Sequence, residues 1–148
     1  MNVETTRFGT VEVDESRIIE FPSGLLGFSD AKRFALLQPD DEGVFFWLQS
    51  VGSPELAFVV TDPSLWVKDY EVPIRREQMD ELSMDHLKDA QVFVIVNKRD
   101  QLLTGNLQGP LVIHCDKRVG EQLVLSDRRF NTRVPLIELG TAVHAASA

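Results

Sequence analysis

Short apolar runs punctuated by Gly, Pro, Asp and Asn dominate this chain, and their period is mostly that of strands. Residues 1–6 and 10–13 flank Arg7-Phe8-Gly9 as a hairpin. Residues 17–21 alternate weakly and stop at Pro22, whose fixed φ and missing N–H end a ladder. Further strands are expected over 34–37, 44–49, 55–61, 91–97, 110–116 and 122–126. One stretch, 75–88, has a helical period: Ile74, Met79, Leu82 and Leu87 fall close to one face, and the remainder is mostly charged. Many short strands with frequent turns predict a mainly β fold, a small closed or partly open antiparallel β-barrel with one short helix. No Pro/Ser/Gly linker or internal repeat divides the chain, so a single domain over 1–148 is expected, with about 141–148 a frayed tail.

Two segments combine strand-like runs with loops rich in uncharged polar residues. In residues 45–63 (FFWLQSVGSPELAFVVTDP) a turn at Val51-Gly52-Ser53-Pro54 separates two apolar runs. In residues 103–115 (LTGNLQGPLVIHC) Thr104, Asn106 and Gln108 alternate with small or apolar residues before Pro110. This composition suits a surface that is presented to a partner. Phe34, Phe45, Trp47, Phe58 and Phe93 are expected in the core, each contributing about 1.5–3 kcal/mol by burial. Phe46 and Trp66 are the candidates for exposed anchors. Trp66 and Tyr70, interleaved with Lys68 and Asp69 and followed by Glu71, have the composition of an interface hot spot. The candidate partner-binding residues are therefore Trp66, Tyr70, Glu71, Asn106 and Gln108.

Composition narrows the class. The chain has 148 residues, is 43% hydrophobic and carries a net charge of −8, enough to bury a core without staples. Residues 1–9 have neither the basic start nor the apolar segment of a secretory signal, and no run approaches the roughly 18 apolar residues of a membrane span. A cytoplasmic protein with no membrane contact, a monomer when alone, is expected; one cysteine, Cys115, agrees with a reducing compartment. Residues 1–97 hold 8 Lys+Arg against 18 Asp+Glu, and residues 98–148 hold 7 against 5, which predicts an acidic face. Such a surface repels phosphate backbones and attracts a basic protein. Lys117, Arg118, Arg128, Arg129 and Arg133 form the cationic part, but Phe130 alone supplies a stacking ring among them, so direct nucleic-acid binding is not expected. Arg133 is read as anchoring backbone carbonyls around Asn131-Thr132 or pairing with a local carboxylate.

Catalytic chemistry finds little purchase. His86, His114, His144 and Cys115 lack the paired spacings of a metal site, and no phosphate-binding glycine loop is present, so no metal or cofactor is expected. Cys115 beside His114 is the one nucleophile candidate, yet neighbours on a strand point to opposite faces; Cys115 is expected to be a small, partly buried core residue. Asp62 before Pro63 reads as a turn former. A small β-barrel RNA-binding protein and a Cys-dependent hydrolase stay open as alternatives.

Four blocks carry a resemblance. FPSGLLGF (21–28), FWLQSVGSPELAFVVTDP (46–63), LTGNLQGPLVIH (103–114) and GEQLVLSDRRFNTRVPL (120–136) resemble, in order and spacing, the flagellar assembly factor FliW family. Gly105 and Val134 depart from that pattern. The resemblance implies a non-enzymatic regulator that binds two proteins in competition: flagellin, and CsrA, a small basic dimer that represses translation of the flagellin message. It implies that this chain acts as a flagellar chaperone-like factor and CsrA antagonist by protein–protein contact.

Overall fold

A computed structural model describes residues 1–39, 43–127 and 129–138. The frayed tail expected over 141–148 lies outside the described residues. The hairpin predicted at the N-terminus forms from β1 (Asn2–Thr5) and β2 (Gly9–Glu12), with Val3 opposite Val11. It docks on the main sheet through Val3, which packs with Val13, Ile18 and Ala35.

The main sheet is antiparallel throughout its ladders. β3 (Ile18–Glu20), β4 (Arg33–Leu37), β5 (Phe45–Ser50), β6 (Ala57–Thr61) and β7 (Ala90–Arg99) follow one another as neighbours. The long β7 then serves two ladders. Its residues 90–93 pair with β9 (Leu111–His114), which pairs with β10 (Gly120–Gln122); its residues 96–99 pair with β8 (Leu102–Gly105), which pairs with β11 (Val134–Glu138). The sheet curls until its ends meet at one parallel bridge, Glu20 to Val119, where Glu20 N–H donates to Arg118 O at 2.9 Å. Among the described residues no ladder closes the ring, so the closed form of the expected barrel is not found; the mainly β, antiparallel character and the one short helix are, in a curled, forked sheet that stays open.

Two layers of apolar residues lie on the faces of this sheet. The larger contains Ile19, Phe21, Phe34, Leu48, Val60 and Leu111, all fully buried, with Phe21 and Phe34 edge-to-face at 5.7 Å. The second holds Val112, Leu123 and Leu125 against Leu82 and Met84. The helix over that layer, α1, spans only Arg76–Glu81, not 75–88. Ser83 adopts φ +53, and its N–H bonds Asp80 O while Met84 N–H returns to Met79 O. That left-handed cap turns Leu82 and Met84 inward and ends the helix, a break the apolar spacing does not reveal. Leu87 starts a separate 3-10 turn, Leu87–Asp89, and is exposed.

Other differences have local causes. Residues 122–126 were expected as a strand; they do alternate, Leu123 and Leu125 in and Val124 out, but they bond the loop carbonyls Pro110 O and Gln108 O, and the strand itself is Gly120–Gln122. β8 and β11 emerge where no separate strand was expected; β11 carries Pro135 and a bulge, both tolerated on an edge. In β5 the face assignment is reversed. Phe46 packs with the core beside Leu48 and meets Phe93 at 5.5 Å, whereas Phe45 and Trp47 lie on the other face, half-buried. Phe58 is half-buried too, packed against the core.

Candidate partner-binding surface

Three loops converge around the 106–110 turn, and each is fixed by a specific polar group. Asn106 Oδ1 accepts the N–H of Gly109 at 2.9 Å, an Asx-type closure of the turn. Gln122 Nε2 donates to Gly109 O at 3.0 Å while its Oε1 accepts from Leu26 N–H at 2.8 Å, so one amide ties the 106–110 turn to the 24–28 turn. Tyr70 donates its hydroxyl to Leu107 O at 2.6 Å and lies edge-to-face on Phe130 at 4.8 Å. Burial raises the Tyr70 phenol above its ordinary value. The structure thus brings Tyr70 against the Asn106–Gln108 loop from a distant part of the chain, with Glu71 exposed beside it and Gln108 half-buried.

Trp66 belongs to a neighbouring cluster. Asp62 caps the 3-10 turn Pro63–Leu65, its Oδ1 accepting the Ser64 N–H at 2.9 Å, which bears out its reading as a turn former. Trp66 then stacks on Phe45 at 5.6 Å and donates Nε1–H to Thr61 Oγ1 at 3.0 Å. It is half-buried, and the fully presented apolar residue of this turn is Leu65, 57% exposed. Tyr70 links the clusters, since a depression of about 270 Å³ is lined by Asp62, Pro63 and Ser64 on one side and Tyr70 and Val72 on the other.

Asn106 also borders a broad depression of about 930 Å³, rimmed by Lys98, Arg99, Asp100, Arg133 and Glu138. The Arg133 backbone N–H donates to Asn131 Oδ1 at 2.7 Å, and Arg133 is one of the residues lining the depression. Arg129 pairs with Asp127 at 2.7 Å on the surface, which holds the Asp127 carboxyl below its usual value, and lies over the Phe130 ring. Arg128 lies outside the described residues.

Several presented residues carry no polar signal in sequence. Leu26 (59% exposed) and Phe28 (41%) project from the 24–28 turn, with Phe28 resting edge-on against Phe58, and Val124 (65%) projects from the segment just after Gln122. The FPSGLLGF block held the hint: its apolar residues exceed what one tight turn can bury. On the other side, Arg7 sits 4.2 Å above the Trp47 ring and Phe8 meets its edge.

The nucleophile candidate does not assemble. Cys115 is exposed, not a core residue, because the strand stops at His114 and the chain turns through Arg118 at φ +56. His114 is buried, and its Nδ1 accepts the N–H groups of Asp116 and Lys117 at 3.2 Å each, which makes it the staple of that turn. Among the described residues no three His, Cys, Asp or Glu side chains come together as metal ligands, and no helix is long and apolar enough to cross a membrane.

Comparison with known proteins agrees across the chain. Residues 2–136 match the family model of the FliW protein. A flagellar assembly factor FliW from Geobacter sulfurreducens is 40% identical over 140 residues, covering 93% of this chain and 87% of that protein. One from Natranaerobius thermophilus is 35% identical over 150 residues, covering 99% of each. A crystal structure of the flagellar assembly factor FliW superposes with a TM-score of 0.84 at 33% identity, covering 93% of this chain and 97% of that one. Sequence, family pattern and fold therefore converge, and the chain belongs to the FliW family of flagellar assembly factors, regulatory proteins that are not enzymes.

Proposed function

We propose that this protein is a cytoplasmic partner switch that binds flagellin and a CsrA-type translational regulator in competition, and so relieves repression of the flagellin message when flagellin has been exported. Family membership over residues 2–136 is the observation that carries this reading. The acidic N-terminal portion favours the basic CsrA-type partner, and the apolar and amide-bearing loops at Trp66, Tyr70, Glu71, Asn106 and Gln108 favour an amphipathic helix of flagellin docking on its apolar face. If CsrA is held away from its RNA surface, the effect is allosteric. A coupling of about 1–3 kcal/mol then weakens RNA binding about 5- to 150-fold, and RNA weakens binding of this protein by the same factor.

Calorimetric titration with the host's CsrA-type regulator, repeated after saturation with flagellin, tests the switch. Saturable binding to each, with flagellin abolishing the second titration, is expected. Binding of both partners at once would remove the competition, and binding of neither would remove the function.

A further inference from the structure

At the edge of the second apolar layer a half-buried glutamate, Glu121, turns one carboxyl oxygen out of solvent. Along β10, Gly120 faces the main core so tightly that a Cβ there would lie 2.6 Å from the Phe21 ring. Side chains alternate, so Glu121 points to the opposite face. Its cross-strand partner is Val112, fully buried in the layer beneath α1. Glu121 Oε2 is buried and meets no hydrogen-bond donor.

Glu81, the exposed last residue of α1, and the half-buried Glu121 line one depression of about 280 Å³. The remaining lining comes from Pro22, Ser23, Leu82, Val119 and Gly120, none of them charged. Elsewhere on α1, Arg76, Glu77 and Asp80 are exposed, and Lys117, Arg118, Glu20 and Arg33 gather around a different depression. Among the described residues, therefore, no cation lines the space between the two carboxyl groups. Two carboxylate oxygens both accept hydrogen bonds, so they attract each other only when one carries a proton.

We propose that Glu81 and Glu121 share one proton as a carboxyl–carboxylate latch that fastens the C-terminal end of α1 to β10, and that loss of the proton releases it. Burial first, then the hydrogen bond and negative charge of Glu81, push the Glu121 carboxyl from 4.5 up to about 7. The sign follows from that elevation. Between about 4.5 and 7 the folded protein holds a proton that the unfolded chain has lost, so stability declines as pH rises through this window. The latch is closed below neutrality and repulsive above it. Residues that ride on α1 and its cap, Leu82 and Met84 among them, loosen together from the layer under the helix.

Amide hydrogen exchange over residues 76–84, corrected for the intrinsic pH dependence of exchange, reads the latch directly. Protection in the native protein is expected to fall by up to about tenfold between pH 6 and pH 8, with β4 and β5 unchanged. Glu121→Gln supplies a permanent donor to Glu81 and is expected to keep α1 protected at both pH values; Glu81→Gln does the same from the helix side. Unchanged wild-type protection from pH 6 to 8, or an equal fall in both variants, overturns the proposal. A carboxyl carbon NMR titration that places Glu121 near 4.5 overturns it independently of either variant's folding.

Discussion

Gly24 and Gly27 occupy the same turn with φ of +69° and +83°, yet they answer to different constraints. A Cβ on Gly24 would lie 2.6 Å from the Ser29 Cα and carbonyl oxygen, both backbone atoms that cannot step aside; a Cβ on Gly27 meets nothing within 4 Å. Gly27→Ala therefore costs only the left-handed conformation, about 1–2 kcal/mol. Gly24→Ala adds overpacking against backbone and should cost about 3 kcal/mol or more. Urea unfolding of the two variants side by side checks the ordering, and equal losses would remove the role assigned to the Ser29 contact. At this scale the sequence was legible wherever a residue has one physical use. Asp62 before Pro63 announced its turn, whereas Asn106 and Tyr70 read as partner-facing and gave no sign of the bonds by which they build the 106–110 loop. The run Phe45-Phe46-Trp47-Leu48 was not legible, since four apolar residues in a row leave the period of two without a phase. The phase comes from Thr61, Trp66, Phe8 and Arg7, which cover the second face from elsewhere in the chain.

Elements were readable when their ends carried turn chemistry and unreadable when tertiary contacts ended them. The β1–β2 hairpin and the β4, β5 and β6 meander follow from alternation bounded by Gly, Pro and Asp. α1 is the opposite case: apolar spacing continues through Leu87, but Ser83 in the left-handed region stops the helix at Glu81, and Lys117 Nζ covers the exposed Ser83 carbonyl at 2.6 Å. A serine at such a cap is not the residue with the lowest conformational cost. Replacing it with glycine removes about 1–2 kcal/mol of left-handed strain and restores about 0.5–1 kcal/mol of unfolded-state entropy. Ser83→Gly should thus stabilise the protein by about 0.5–1 kcal/mol in denaturant unfolding. A loss of stability would mean that the Ser83 side chain, not its backbone, matters to the cap. β8, β11 and the fork at β7 escaped the sequence for a different reason: which edge a strand joins depends on partners far along the chain, and local period carries no information about it.

For the whole molecule, charge is the property that the linear sequence shows most plainly and the fold rearranges most. The acidic and basic portions of the chain interleave in space: Lys117 reaches the cap of α1, and Glu20 bonds the backbone of Arg118 where the ends of the sheet meet. Two faces of opposite sign therefore do not follow from two portions of opposite sign. What survives is a local concentration, since residues 69–89 hold 7 Asp+Glu against 3 Lys+Arg and include Glu71 beside Tyr70 and the exposed acids of α1. Exposed charges of this kind act mainly on encounter, over a Debye length of about 8 Å at physiological salt. If a basic CsrA-type partner docks near this segment, its association rate should fall about tenfold or more as salt rises from 50 to 500 mM, with its dissociation rate nearly unchanged. If flagellin is held instead by apolar contact with the loops around Trp66 and Tyr70, its association rate should fall less than about threefold over the same range, because burial of apolar surface is not screened. Stopped-flow association measured for both partners across that series separates the two modes. Equal, shallow salt dependence for both would mean that the acidic segment serves solubility alone and that the two partners are distinguished by shape.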